Sequence, residues 1–235
     1  MKHYHGTPIS GTTDVAKLAL TGTRGLVSQL RKNQQNIIKE HCIGFVVDNG
    51  AFSAWKRGVS LDWNKYYAWV ETLMPLPNFD FAIIPDIIDG TEADNDTLIN
   101  QWPAHLKSKG APVWHMHESL EKLKRLCNDW DVVCIGSSGE YVKLCTPHWW
   151  KRMYEAMDYI CDVDGYPPCK LHGLRMMRKV IADKIPLYSA DSTTLGYNVG
   201  IDKNSKIECR SERVLSIRSK IESIVAVDRF DRSVL

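Results

Sequence analysis

Five times along this chain a short apolar run stops at a polar or glycine residue and gives way to a helix-like pattern. Phe45-Val46-Val47 precedes Asp48-Asn49-Gly50, and Phe81-Ala82-Ile83-Ile84 precedes Pro85-Asp86. Val113-Trp114 runs into His115-Met116-His117, Val132 to Ile135 into Gly136-Ser137-Ser138-Gly139, and Leu187-Tyr188 into Ser189-Ala190-Asp191. Runs this short, without polar alternation, suit strands buried on both faces of a parallel sheet. The intervening spacing predicts helices over Asp62–Met74, Ala93–Lys109, Ser119–Leu126, Pro147–Cys161 and Met177–Lys184, with Ser119 as an N-cap. Strand–helix alternation implies right-handed parallel crossovers. Weaker strands near Lys2–His5, Gly25–Gln29 and Lys170–Leu174 bring the count to eight, the closing number of a barrel. The expected fold is α/β: one compact (β/α)8 TIM-like barrel domain over 1–235, its core about 3–194, with a C-terminal helical segment about 210–225. In that segment Val214, Leu215, Ile217, Ile221 and Ile224 recur at helical spacing, with Arg213, Arg218 and Lys220 for a solvated outer face.

The length of 235 residues lies within the range of such barrels, and 44% hydrophobic residues supply one sizeable core. Thirty basic against 28 acidic residues leave a net charge of +2, which excludes a surface that coats polyanions broadly. The charge is uneven, however: residues 23–65 hold seven Lys/Arg and three Asp/Glu, whereas 78–100 hold six acidic residues and no basic ones. Arg24, Arg31, Lys32, Lys56 and Arg57 are therefore the candidate phosphate contacts, against a simply solvated face. No run reaches the length of a membrane span, and the opening MKHYHGTPIS lacks the apolar stretch of a secretory signal, so the expectation is a cytoplasmic protein without a membrane partner. Seven cysteines without a C-x-x-C pair predict reduced thiols rather than structural zinc, with Cys134 as a small buried hydrophobe.

Catalytic groups of parallel barrels gather where the strands end, because the following loops converge there. That rule selects His5, Asp48, Asp86, His115, His117, Gly136 to Gly139, His172, Gly173 and Asp191. A strand-end Asp is also a common helix N-cap, yet three of them aimed at one mouth suit glycosyl transfer or hydrolysis. Gly136-Ser137-Ser138-Gly139 offers N–H groups and hydroxyls for a carbonyl or a phosphate, or forms a tight turn. His3-x-His5 with Asp191 resembles the metal-binding pattern of amidohydrolase barrels, with His115, His117 or His172 as further ligands. The glycine and serine at the sixth strand end depart from that pattern, and H-x-H in a strand puts two rings on one face by alternation alone.

Val47-Asp48-Asn49-Gly50-Ala51-Phe52, Ile84-Pro85-Asp86, Ile135-Gly136-Ser137-Ser138-Gly139-Glu140, Leu171-His172-Gly173-Leu174 and Tyr188-Ser189-Ala190-Asp191-Ser192 occur in the order of the core motifs of tRNA-guanine transglycosylases. From about His3 to Thr194 the chain resembles a shortened member of that superfamily, most similar to the DpdA-type transglycosylases of phages and bacteria that place 7-deazaguanine bases in DNA. The resemblance implies that Asp191 is the nucleophile and Asp48 a proton-transfer and positioning carboxylate. It implies that Asp86 hydrogen-bonds the amidine edge of guanine and that the Gly136 loop meets the purine carbonyl. The family's glutamine has no counterpart, and His115 or His117 stands in its place; the C-x-C-x-x-C zinc insertion of the tRNA enzymes is absent.

The residue chemistry agrees, since guanine's N1–H and N2 amino group are donors for an ionised Asp86, and its carbonyl needs donors from Gly136, Ser137 or a histidine. Phe52, Trp55, Trp114 and Tyr141 are candidates to stack on the base or to pack the core. A duplex base must be flipped or presented on a single strand to reach a barrel mouth. The expected partners are DNA and a free 7-deazaguanine base, with no cofactor and no metal. Alternatives are a tRNA substrate, a metal-dependent amidohydrolase-type barrel, and a nucleobase-binding barrel without catalysis.

Overall fold

In the computed structural model, which describes residues 1–201 and 209–234, four of the five apolar runs lie in strands, Leu187-Tyr188 instead leads into a strand that begins at Ser189, and every strand pairing is parallel. The strands are β1 (Lys2–Gly6), β2 (Arg24–Ser28), β3 (Gly44–Asp48), β4 (Phe79–Ile83), β5 (Gly110–Ala111), β6 (Val113–His115), β7 (Val132–Gly136), β8 (Lys170–Gly173) and β9 (Ser189–Ser192). Their order, β5-β4-β3-β2-β1-β9-β8-β7-β6, curls into a nearly closed barrel. The ends of the list are one strand interrupted at Pro112, which has no N–H to give to a ladder. Ala111 O accepts from Ile84 N–H at 2.9 Å on one side, and Pro112 O accepts from Cys134 N–H at 2.8 Å on the other, so the segment hands the ring from β4 to β7. The eight strand positions of the sequence reading are all occupied, and the proline explains why the fifth is cut in two.

The helices are α1 (Thr13–Leu20), α2 (Gln35–His41), α3 (Ala51–Arg57), α4 (Trp63–Leu73), α5 (Glu92–Asn100), α6 (Leu120–Asp129), α7 (Pro147–Ile160), α8 (Lys179–Ala182), α9 (Thr194–Ile201) and α10 (Arg210–Glu222). Side-chain caps at Thr12, Asp62, Thr91, Ser119 and Thr146 start five of them, Ser119 as expected. The helix expected over Ala93–Lys109 ends at Asn100 because Pro103 breaks it, and a 3-10 turn over Ala104–Lys109 follows. The short α1, α2 and α3 lie where the sequence shows no helical run long enough to single out.

Two packed layers explain the unalternated strands. Val46, Phe81, Ile83, Val113, Cys134 and Tyr4 fill the barrel interior, while Phe45, Val47, Ala82, Val133 and Ile135 face the helices. The closing helix α10 buries Val214 and Ile221 as expected, but Leu215 stays exposed, and Arg218, expected on the solvated face, reaches back to the Leu18 carbonyl of α1 at 3.1 Å. Its last residue, Glu222, accepts from His5 Nε2 at 2.7 Å and lies 3.3 Å from His3 Nδ1, while His3 Nε2 bonds the Ile224 carbonyl at 2.8 Å. Among the described residues no helix is long and apolar enough to cross a membrane.

Candidate active site at the carboxyl end of the barrel

Parallel pairing sends the carboxyl ends of all strands to one mouth, and the register aligns Ser28 with Asp48 at its rim. Asp48 ends β3, and Asp86 follows β4 by three residues. Asn49, almost fully buried, ties these two positions together: its Nδ2 donates to Asp86 Oδ1 at 2.7 Å and to the Ile84 carbonyl at 2.7 Å. Asn49 Oδ1 accepts from Ala51 N–H at 2.8 Å, and Asp48 Oδ2 accepts from Gly50 N–H at 3.2 Å. Gly50 has φ +79°, the left-handed conformation that lets the chain turn from β3 into α3 within two residues.

Asp86 and His115 face each other under the mouth. His115 Nε2 is 3.0 Å from Asp86 Oδ2, but the two are out of hydrogen-bonding alignment, and both ring nitrogens of this buried histidine are without a partner. Close approach without alignment leaves the ring unsatisfied, a state that a substrate acceptor can relieve. Gly136 makes room beside it, since a Cβ there would lie 3.0 Å from Val113 Cγ1 and 3.3 Å from His115 Nδ1. His117 stacks on His115 with ring centroids 5.6 Å apart, yet it is exposed and its nitrogens already engage Ser138 Oγ at 2.9 Å and the Gly90 carbonyl at 3.2 Å.

Asp191 projects from β9. Its Oδ1 accepts from the Arg175 backbone N–H at 2.9 Å and lies 3.5 Å from His172 Nε2, which has no hydrogen-bond partner. His172 is fully buried below it, its Nδ1 bonded to Ser189 Oγ at 2.8 Å and its ring edge-on to Tyr4 and Phe81. Arg175 has φ +60°, rare for a side-chain-bearing residue, and its guanidinium bonds the Ser137 carbonyl at 3.0 Å while lying 4.3 Å from the Phe52 ring centroid. Burial pulls the Arg175 pKa below its usual value, opposed by the Asp191 charge.

Burial pushes the Asp48 carboxyl up to about 7, and the neighbouring charges of Asp191 and Asp86 add to that, against hydrogen bonds from Ser28 and the Gly50 amide. Three strand-end aspartates thus feel one another in one mouth. A carboxyl poised near 7 is half-protonated at neutral pH and can both give and take a proton.

Of the sequence-selected residues, the mouth brings together Asp48, Asp86, Asp191, His115, Gly136 and His172. Others fall elsewhere. Ser137 turns its hydroxyl away from the mouth, accepting from Trp149 Nε1 at 2.9 Å within the helix layer, so only its carbonyl faces Arg175. A Cβ on Gly173 would strike Met176 and Leu187 in that same layer, so Gly173 serves packing rather than the mouth. Arg24 opens β2 and lies at the opposite end of the barrel, because strand polarity separates it from Ser28 at the mouth. Lys32 folds its amine over the Trp69 ring at 3.9 Å, and burial lowers its pKa. Arg31, Lys56 and Arg57 are exposed on the β2–α2 loop and α3, next to the mouth. His3 and His5 point outward to α10, so strand alternation removes them from any ligand set with Asp191. Trp114 is fully buried with its Nε1 on the Ser119 carbonyl, and Tyr141 stacks on His148, whereas Phe52 and Trp55 remain at the rim.

Asn49, Ser28 and Arg175 are site residues that the sequence reading missed. Applying the strand-end rule to the second strand would have found Ser28. Arg175 carries no motif signal, since only its left-handed backbone aims its N–H at Asp191. In comparisons with known proteins, no family model and no curated protein matches this chain.

Proposed function

We propose that this barrel is a base-exchange transglycosylase that replaces guanine in DNA with a 7-deazaguanine base. The observation that supports it best is the meeting of Asp48, Asp86 and Asp191 in one mouth, with Asp48 poised to carry a proton. In this reading an Asp191 carboxylate oxygen bonds C1′ of the target deoxyguanosine as the C1′–N9 bond breaks, leaving a covalent glycosyl-enzyme. Asp48 protonates the departing guanine, then accepts the N9 proton of the incoming base as that nitrogen attacks C1′ and releases Asp191. The proton given and the proton taken balance.

Asp86 recognises the base. Each of its oxygens already has one neighbour, Asn49 Nδ2 or His115 Nε2, but a carboxylate offers about four acceptor sites, which leaves room for guanine's two donors. The unsatisfied His115 ring is the donor for the purine carbonyl in place of the family's glutamine, while His117 is held by Ser138 and Gly90. Asn49 fixes the angle of Asp86, and the Arg175 amide fixes Asp191. The Arg175–Phe52 contact lies across the mouth and favours exchange over hydrolysis by limiting water around the intermediate. Arg31, Lys56 and Arg57 are the backbone-phosphate contacts that remain once Arg24 and Lys32 are set aside.

The test is mass spectrometry of nucleosides from the DNA and tRNA of cells that express the chain and are supplied with 7-deazaguanine precursors. A deazapurine nucleoside in DNA is the expected result. Its appearance in tRNA alone would move the substrate and keep the chemistry, and its absence from both would remove the transglycosylase reading.

A further inference from the structure

Beside Asp191, and outside the set of residues so far given a role with DNA, lies a cleft of about 510 Å³ whose charged lining is entirely cationic: Lys143, Arg175 and Arg178. Ser192, Thr193 and Thr194 add hydroxyls, those of Ser192 and Thr194 bonded to each other at 2.6 Å. The chain as a whole is nearly balanced, at +2, so three cations and no carboxylate around one cleft is a local exception. Of the acids close in sequence to the lining, Glu140 pairs with His148 at 3.0 Å, Asp183 pairs with Lys179 at 2.6 Å, and Asp191 accepts the Arg175 backbone N–H at 2.9 Å. Among the described residues, the side chains of Lys143 and Arg178 have no hydrogen bond, ion pair or ring contact.

Like charges held around one hollow repel one another, and an anion bound between them relieves that repulsion. Two forked guanidinium groups with an ammonium and hydroxyls match the tetrahedral oxygens of a phosphate better than a planar carboxylate. The cleft is continuous with the candidate active site. Ser192 follows Asp191 directly on β9, and Arg175 both lines the cleft and gives its backbone N–H to Asp191.

We infer that this cleft binds a phosphate group esterified to the sugar that Asp191 engages. The inference rests on the reading of Asp191 as the sugar-binding carboxylate; the ligand chemistry, a sugar phosphate, is common to a nucleic-acid phosphodiester and to a free nucleotide. Arg178 and Lys143 supply its charge and Arg175 couples it to the mouth.

The experiment titrates the full chain with inorganic phosphate, following backbone amide shifts, in wild type and in the double variant K143Q/R178Q. Both residues are exposed, so the fold should persist, and an unchanged thermal transition checks that it does. Expected are saturable shifts at Ser192–Thr194 in wild type and an affinity at least about 10-fold weaker in the double variant. A guanine-containing single-stranded oligonucleotide should lose about 10- to 100-fold in affinity, and its log–log salt slope should fall by roughly 1.4 for two lost contacts. Deoxyguanosine monophosphate is the second arm: if it competes for the cleft and the oligonucleotide does not, the source is a free nucleotide. No saturable phosphate binding, or equal binding in both proteins, overturns the inference. Phosphate binding that the double variant loses, in a protein that modifies neither DNA nor tRNA, keeps the cleft and discards the transglycosylase.

Discussion

The two ends of this barrel both hold buried or half-buried charged side chains and treat them in opposite ways. At the amino end Asp80 accepts the Tyr4 hydroxyl at 2.8 Å, lies 3.5 Å from the Lys2 amine, and fits against Gly44 where a larger residue would collide with it. Arg24 shares that end, and the Tyr4 phenol is held well above its usual pKa by burial and by Asp80. At the carboxyl end Asp48, Asp86 and Asp191 meet with Asn49, His115 and backbone N–H groups, while the nearby Arg175 guanidinium spends its contacts on Ser137 and Phe52. Opposite charges paired at one end serve stability. Carboxylates crowded at the other cost stability, and that arrangement persists in proteins where the chemistry needs it.

The largest expected effect lies in the mouth. On the proposed chemistry Asp191→Asn removes the attacking oxygen, so exchange should fall by roughly three orders of magnitude or more, with DNA binding retained. Denaturing electrophoresis after incubation with guanine-containing DNA, followed by peptide mapping of the shifted band, checks it. An adduct that persists in Asp191→Asn, or a sugar-linked peptide containing Asp48, would show that the two carboxylates have each other's role.

Asp48 should separate stability from activity. Its carboxyl titrates near 3.8 in the unfolded chain and about 7 in the fold, so between those values the folded state holds a proton that the unfolded state has lost. Stability therefore falls as the pH rises through that window and levels off above it. Asp48→Asn should flatten this fall and make the protein more stable than wild type at pH 8, by on the order of 2 to 4 kcal/mol, while impairing exchange. Urea midpoints at pH 5 and pH 8 for both proteins measure it, and parallel pH profiles would remove Asp48 as a buried proton carrier.

The barrel was legible in the sequence because burial on both faces writes itself as apolar runs, and strand polarity then placed Asp48, Asp86 and Asp191 at one end without knowledge of any contact. What could not be read is which way a residue points once a strand has stopped. Ser137 and Gly173 stand where the strand-end rule expects site residues, yet each turns to the helix layer, and His3 and His5 alternate outward to Glu222 on a helix more than 200 residues away. Arg24 was misplaced for a simpler reason: a count of charge along the chain ignores the strand between the two ends. Arg175 depends on a left-handed backbone that no residue type announces.

Asp86→Asn tests recognition rather than chemistry. An amide presents one acceptor oxygen and one donor where the carboxylate presents two acceptors, so one of guanine's donors loses its partner. The expected cost is about 1.5 to 3 kcal/mol, or about 10- to 150-fold in guanine affinity, with the Asn49 contact disturbed as well. Equilibrium binding of free guanine measures the loss, and unchanged affinity would take Asp86 out of base recognition.

The smallest effect belongs to the other end, and it checks whether the comparison of the two ends is sound. In Asp80→Asn the amide oxygen can still accept from Tyr4, so the hydrogen bond survives while the charge opposite Lys2 disappears. The Lys2 pair is about one quarter exposed on each side, and pairs of that kind contribute little once water screens them. Removing the charge should therefore cost about 1 kcal/mol of stability at most, through the loss of the counter-charge for Lys2. Exchange activity should stay within about threefold of wild type, since a whole strand length separates Asp80 from the carboxylates, and at physiological salt a surface charge is felt over only about 8 Å. Urea unfolding and the exchange rate, measured on the same preparation, give both numbers. A loss of activity as large as that of Asp86→Asn, without a matching loss of stability, would mean that the two ends are coupled through the Tyr4–His172 contact that connects Asp80 to Asp191, and the division into a stabilising and a catalytic end would fail.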